Sequence, residues 1–215
     1  MAYRHDRDLY GRDTQNRARI ADLAARLIAE HGLSDWSLAK RKAVRQLMLP
    51  ERTALPGDDE IEAALAAHHA LFGGDAHAAS LRSQREEALR WLRALEAFAP
   101  TLVGGVAAGW ATAHSDIRIE LVADDAKSVE LALINGNVAY RVAPGVSQRA
   151  APELLIDTPN GGVRLVVRTP IAARQRPRRE RRGGDEARLD ARALEQLLGA
   201  SASDTLGRTR KYSRR

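Results

Sequence analysis

Between Leu102 and Leu121 the chain reads LVGGVAAGWATAHSDIRIEL, and no other stretch limits the possible folds as tightly. An apolar strand end runs into Gly104-Gly105. A short run of small residues suited to a helix follows, and Ser115-Asp116 opens a second strand. From Asp116 to Val122 successive side chains point to opposite faces of a sheet. Ile117, Ile119 and Leu121 therefore share a face fit for burial, while Asp116, Arg118 and Glu120 share the other. A glycine pair has no Cβ in the way, so backbone N–H groups there can approach an anion. The positive end of the following helix would point to the same place.

This order of glycine pair, helix, Ser-Asp and amphipathic strand resembles the signature of the nucleotidyltransferase superfamily, the polymerase-beta-like fold. The resemblance implies a mixed α/β core that binds an NTP and transfers a nucleotidyl group to a hydroxyl acceptor. It implies phosphate contacts from Gly104, Gly105 and Ser115, and a Mg²⁺ site that includes Asp116; His114, two residues before Asp116, suits either a phosphate contact or a cap on the turn. The family places two carboxylates at i and i+2 on this strand, where two ions about 3.5–4 Å apart clamp the attacking and leaving oxygens. Here the second position is Arg118. Arginine cannot bind Mg²⁺ and stays protonated, so it repels metal and attracts phosphate directly. Glu120 is the nearest same-face replacement, two positions and about 7 Å further along the strand. Asp157, on a later strand, is the candidate for the family's third carboxylate, though it also suits the start of the Thr158-Pro159 turn. The resemblance with its departure implies NTP binding with transfer weakened or lost. Asp116, Arg118 and Glu120 also suit a solvated same-face charge ladder with no substrate.

At 215 residues the chain is long enough for a proper core. It has no Cys, which excludes disulfides and thiolate metal sites. No apolar run reaches bilayer length and the first residues lack a signal-peptide pattern, so a cytoplasmic protein is expected. The Ala- and Arg-rich usage points to a bacterial source. The net charge of +6 is unevenly spread: residues 1–55 carry +4, residues 56–170 carry −5 and residues 171–215 carry +7. Basic ends of this kind attract RNA and other polyanions without sequence preference. Arg178, Arg179, Arg181 and Arg182 are the densest cluster. A merely solubilising tail is the alternative.

The expected class is α+β: residues 1–13 disordered, a helical region over 14–99, a mixed α/β core over 100–171, and a basic linker, short helix and disordered tail over 172–215. Four helices are expected before the sheet. They begin at Thr14, after Ser34-Asp35, near Asp58 and near Ala76. Their inward stripes read Ile20, Leu23, Leu27 and Ile28; Leu38, Ala43 and Leu47; Ile61, Leu65, His68 and Leu71; and Leu81, Ala88, Leu92 and Leu95. Beyond the signature come a helix over 125–134, a strand over 138–142, and two strands, 153–157 and 163–168, joined by Pro159-Asn160-Gly161-Gly162 in hairpin style. The segment 172–215 has few apolar residues and is expected to add little to fold stability.

The run from Arg17 to Ala43 superficially resembles the first helices of a helix-turn-helix repressor. Lys40, Arg41, Lys42 and Arg45 would form its basic recognition helix. A plain helical hairpin with a solvated basic side fits the same residues, and Pro50 with the acidic 58–62 cluster interrupts the motif. His68 and His69 are adjacent on a helix and face different directions, a poor metal arrangement. With His77 they read as core-edge or surface histidines. The absence of GxxxxGK[ST], GxSxG and Cys leaves P-loop and nucleophile-elbow chemistry unsupported. Three functions stay open: an NTP-binding nucleotidyltransferase-like protein, a non-catalytic nucleotide or RNA binder, and a DNA-binding regulator.

Overall fold

The structure is a computed structural model that describes residues 2–31, 33, 35–143, 151–159, 161–174 and 187–200, with side chains from Asp13 onward. Helix α1 spans Ala2–His31, so it starts well before the expected Thr14. Its inner face is Ile20, Ala21, Ala24, Ala25, Leu27 and Ile28, all buried. The alanines let two further helices approach closely. Helix α2 (Trp36–Gln46) is capped by Asp35, whose carboxylate accepts the Leu38 N–H at 3.1 Å. Helix α3 (Asp58–Phe72) carries Asp58, Asp59 and Glu60 in its first turn, where the helix dipole favours negative charge. It contributes Ile61 and Leu65, both fully buried.

Two of the expected stripes hold only in part. Helix α2 buries Ala39, Ala43 and Val44, and Leu38 is exposed. Helix α3 leaves Leu71 and Phe72 exposed at its end. In α2 the face that meets the core is one position round from Leu38, whereas α3 keeps Ile61 and Leu65 inward as expected and leaves the core only at its end. The connection between α3 and α4 (Gly74–Ala94) is a sharp turn, with Gly74 at φ +53°.

A five-stranded mixed sheet follows, in the order β1-β2-β5-β4-β3. Strand β1 is Thr101–Val103 and β2 is Ile117–Val122, paired antiparallel. Strands β3 (Arg141–Val142), β4 (Glu153–Thr158) and β5 (Gly161–Arg168) complete it. β4 and β5 form the expected antiparallel hairpin, and β5 runs parallel to β2 with Arg118 opposite Arg164. The expected strand over 138–142 is reduced to its last two residues. Between β1 and β2 sits α5 (Gly105–Ala108), a single turn, and after β2 comes α6 (Ala126–Asn135), capped by Asp125.

The dry sheet face is the one expected: Ile117, Ile119 and Leu121 are fully buried, beside Leu154, Ile156, Val163, Leu165 and Val167. Ala88 and Leu92 of α4, and Val129 and Leu133 of α6, cover it. The opposite face carries Arg118, Glu120, Arg164 and Arg168. The molecule is thus α+β, with one core under the sheet and another among α1, α2 and α3. Among the described residues no helix is long and apolar enough to cross a membrane.

Residues 187–200 are part of the fold, against the expectation that 172–215 adds little to it. After α7 (Pro170–Arg174), residues 191–200 form helix α8. Its Leu194 is fully buried in the sheet core. Leu189 pairs with Leu102 through two backbone hydrogen bonds of 2.9 and 3.0 Å, extending the sheet edge beyond β1. Arg93 reaches Glu195 at 2.6 Å. The apolar residues are few, but Leu194 sits where a single leucine closes the core.

Candidate functional site

The glycine pair lies between β1 and α5, as the motif requires. Gly104 adopts φ +71°, ψ −154°, a conformation open to glycine and strained for other residues. A Cβ there would meet nothing within 4 Å, so the position faces open space. Gly105 serves a different purpose. A Cβ on it would stand 2.7 Å from the Trp110 ring, so the missing side chain is what lets the indole pack on the turn. The Gly105 carbonyl accepts N–H groups from Gly109, Trp110 and Ala111, which ends α5 after one turn. So short a helix has little dipole to offer.

The loop into β2 is braced from below. Gln84, buried on α4, donates its amide N–H to the carbonyls of Thr112 (2.9 Å) and Ser115 (3.3 Å). The Ser115 hydroxyl accepts the Thr112 N–H at 2.9 Å, and the Thr112 hydroxyl accepts the His114 N–H at 3.2 Å. Arg85 donates to the carbonyls of Val106 and Ala107, and its burial lowers its pKa. These contacts leave Asp116 at the mouth of β2 in a fixed position.

Asp116 does not face a second carboxylate. Its Oδ2 accepts from Arg164 Nη2 at 2.8 Å and from Nε at 3.2 Å, while Nη1 of the same arginine reaches Glu153 at 2.7 Å. Burial works against the Arg164 charge, but the two carboxylates outweigh it and raise its pKa. Gly162 makes room for this arrangement, since a Cβ there would fall 2.6 Å from Asp116 Oδ1. Arg118 is exposed two residues on, and its guanidinium has no ion pair or hydrogen bond among the described residues.

The other two candidate carboxylates are placed elsewhere. Glu120 is buried and gripped by Arg168 (2.9 Å) and Arg188 (2.8 Å). Desolvation pushes its pKa up, yet the two guanidinium groups prevail and hold it below the usual carboxylate range. Asp157 lies on β4, which β5 separates from β2, and Arg141 holds both its oxygens at 2.8 and 3.1 Å. Each carboxylate of the expected Mg²⁺ set is therefore already bound to arginine. Among the described residues no group of three His, Asp or Glu side chains could hold a metal ion. The donor set does not fit a two-metal centre.

Gly104, Gly105, His114, Ser115, Asp116 and Arg118 do converge on one cleft of about 450 Å³. Sequence reasoning missed its remaining walls. Arg164 and Glu153 complete the polar side, and Ile28, Leu33, Trp36 and Trp110 form an apolar side supplied largely by the helical region. Trp36 and Trp110 meet with ring centroids 5.2 Å apart, tilted at 56°. Arg164 had a signal, because it alternates with Val163 and Leu165 on a strand. Only the strand order β2-β5 turns that alternation into a site residue. The tryptophans had none, since their partners are about 75 residues apart in sequence and meet only through the tertiary fold.

Behind the Trp110 loop, His69 and His77 stack with centroids 3.8 Å apart and planes within 4°. His77 Nε2 lies 3.3 Å from the Gly109 carbonyl, and His69 Nε2 is buried with no hydrogen-bond partner among the described residues. Burial first, and then the neighbouring His77 and His68, lower the His69 pKa to about 4 despite the opposing Trp110 contact. Of the basic helix candidates, Lys40 is tied to Asp58 at 2.6 Å, while Arg41, Lys42 and Arg45 are exposed. Arg178, Arg179, Arg181 and Arg182 lie outside the described residues. Compared with protein-family models and with curated protein sequences, the chain matches none.

Proposed function

We propose that this protein is a nucleotidyltransferase-like NTP-binding module whose transfer activity is lost or strongly weakened. The observation that carries the reading is Arg118: an exposed guanidinium with no partner among the described residues, at a cleft that also holds Gly104, Ser115 and His114. Its five donors suit a phosphate, and charge-assisted contacts of this kind are about twice as strong as neutral ones. Asp116 is committed to Arg164, so the cleft's charge is balanced without a divalent ion. The phosphates of a nucleotide would be held by arginine where the family uses metal. Arg164 can add a second guanidinium, and Asp116 with Glu153 keeps it oriented.

The test is nucleotide binding by calorimetry with EDTA and then with Mg²⁺, alongside incubation of labelled NTPs with RNA and protein acceptors. The expected result is binding that survives EDTA, falls at least about tenfold in Arg118→Ala, and is accompanied by no transfer. Mg²⁺-dependent transfer that Asp116→Ala abolishes would overturn the proposed loss of activity. Failure of every NTP to bind would overturn the reading altogether.

A further inference from the structure

We infer that the helical region reads the base end of the ligand, through Trp36, as a flat surface and not by its hydrogen-bonding edge. This rests on the NTP-binding reading above and goes beyond it by assigning the cleft's second wall. The cleft has two chemically distinct sides. One is charged, with Arg118, Arg164 and Asp116 from the sheet. The other is apolar, with Ile28, Leu33, Trp36 and Trp110. A ligand matching both sides has an anionic end and a flat, weakly polar end, which is the build of a nucleoside polyphosphate and not of inorganic polyphosphate.

The two tryptophans are not equivalent. One side of the Trp110 ring is filled by Gly105, whose absent Cβ is the condition for that contact, and Trp110 Nε1 is buried without a partner among the described residues. Both rings are half-buried and packed against the helical core, but Trp110 alone has the glycine turn against its ring. Trp36 stands at the first turn of α2, half-buried, tilted against Trp110 and lining the cleft. It is the ring a base can cover. The remaining apolar lining, Ile28 and Leu33, has no side-chain donor or acceptor, so base edges find nothing there to discriminate them. Stacking alone is tolerant of base identity, because every base has a π-face. The inferred ligand class is any of the four NTPs, bound with similar affinity.

The experiment compares tripolyphosphate with ATP, GTP, CTP and UTP by calorimetry in EDTA, on the full chain and on Trp36→Leu, which keeps apolar bulk. A thermal melt of the variant checks that it folds. The four NTPs are expected to bind within a few-fold of one another and about tenfold tighter than tripolyphosphate, the size of one base–aromatic stack. In Trp36→Leu the NTPs should fall to the tripolyphosphate level while tripolyphosphate itself is unchanged. Equal binding of tripolyphosphate and NTPs, with no effect of Trp36→Leu but a loss in Arg118→Ala, would overturn this inference and leave the phosphate site standing. A preference above about thirtyfold for one base would overturn the reading of a base by its face alone. If neither NTPs nor tripolyphosphate bind, the underlying nucleotide reading fails as well. Should Trp36→Leu not fold, the ratio of NTP to tripolyphosphate affinity on the unmodified chain decides the matter.

Discussion

Two arginines, and not one, stand between this cleft and a metal centre. Arg118 stands where the nucleotidyltransferase resemblance would have a second carboxylate, and Arg164 neutralises Asp116 at 2.8 Å. Placing Asp at 118 alone leaves Asp116 in its ion pair. We expect Arg118→Asp to gain little Mg²⁺ affinity, and the Arg118→Asp/Arg164→Ala double variant, with Asp116, Glu153 and the new carboxylate, to bind Mg²⁺ at least about tenfold more tightly than either single change. Mn²⁺ electron paramagnetic resonance measures this, and equal affinity for the single and double variants would contradict it. A second residue with a consequence is His69. Its folded pKa of about 4 lies below the ordinary 6.5, so the unfolded chain takes up the proton first. The stability linked to His69 is complete above pH 6.5 and declines as the pH falls from 6.5 towards 4. Urea unfolding at pH 7.5 and 5 should show this decline, and His69→Gln should reduce it. An unchanged pH slope in His69→Gln would remove His69 as the cause.

At the scale of elements, α8 does more than its composition suggests. Leu194→Ala removes a fully buried leucine from the sheet core and is expected to cost about 2–5 kcal/mol. Removing residues 187–215 also strips Arg188 from Glu120, leaving a buried carboxylate with one guanidinium fewer. Thermal melts of both variants test this, and a melting temperature within about a degree of the full chain's in the second would show that α8 is dispensable. The same elements show what a sequence reveals. The β2 alternation, the β4–β5 hairpin and the start of α2 after Ser34-Asp35 were legible, because each rests on contacts within a few residues. The α1 start, the face of α2, the exposed end of α3 and the docking of α8 were not, because a partner far along the chain decides them. The cleft divides the same way. Gly104, Asp116 and Arg118 follow from a local motif, whereas Arg164, Glu153 and Trp36 enter only through strand order and packing between the two cores.

For the whole molecule, charge is segregated: the central 115 residues carry −5 and the last 45 carry +7. Replacing Arg178, Arg179, Arg181 and Arg182 by Gln should weaken RNA binding at low salt and flatten the dependence of log affinity on log salt by up to about three units. Fluorescence anisotropy over a salt series measures it, and an unchanged slope would assign any RNA affinity elsewhere. The pairing of β2 with β5 carries a different consequence. These neighbours are residues 117–122 and 163–168, side by side at the centre of the sheet. During synthesis β2 leaves the ribosome with only the three-residue β1 beside it, and its other edge waits for more than forty residues to be added. At roughly 5–20 residues per second that wait lasts about 2–10 seconds, long compared with hairpin formation. For that interval the nascent chain exposes an amphipathic strand, Ile117 to Val122, with an apolar face and an open edge, the condition under which chains pair with one another. The parallel pair that brings Asp116 to Arg164 is also the point in biogenesis at which a holding chaperone would have most to cover.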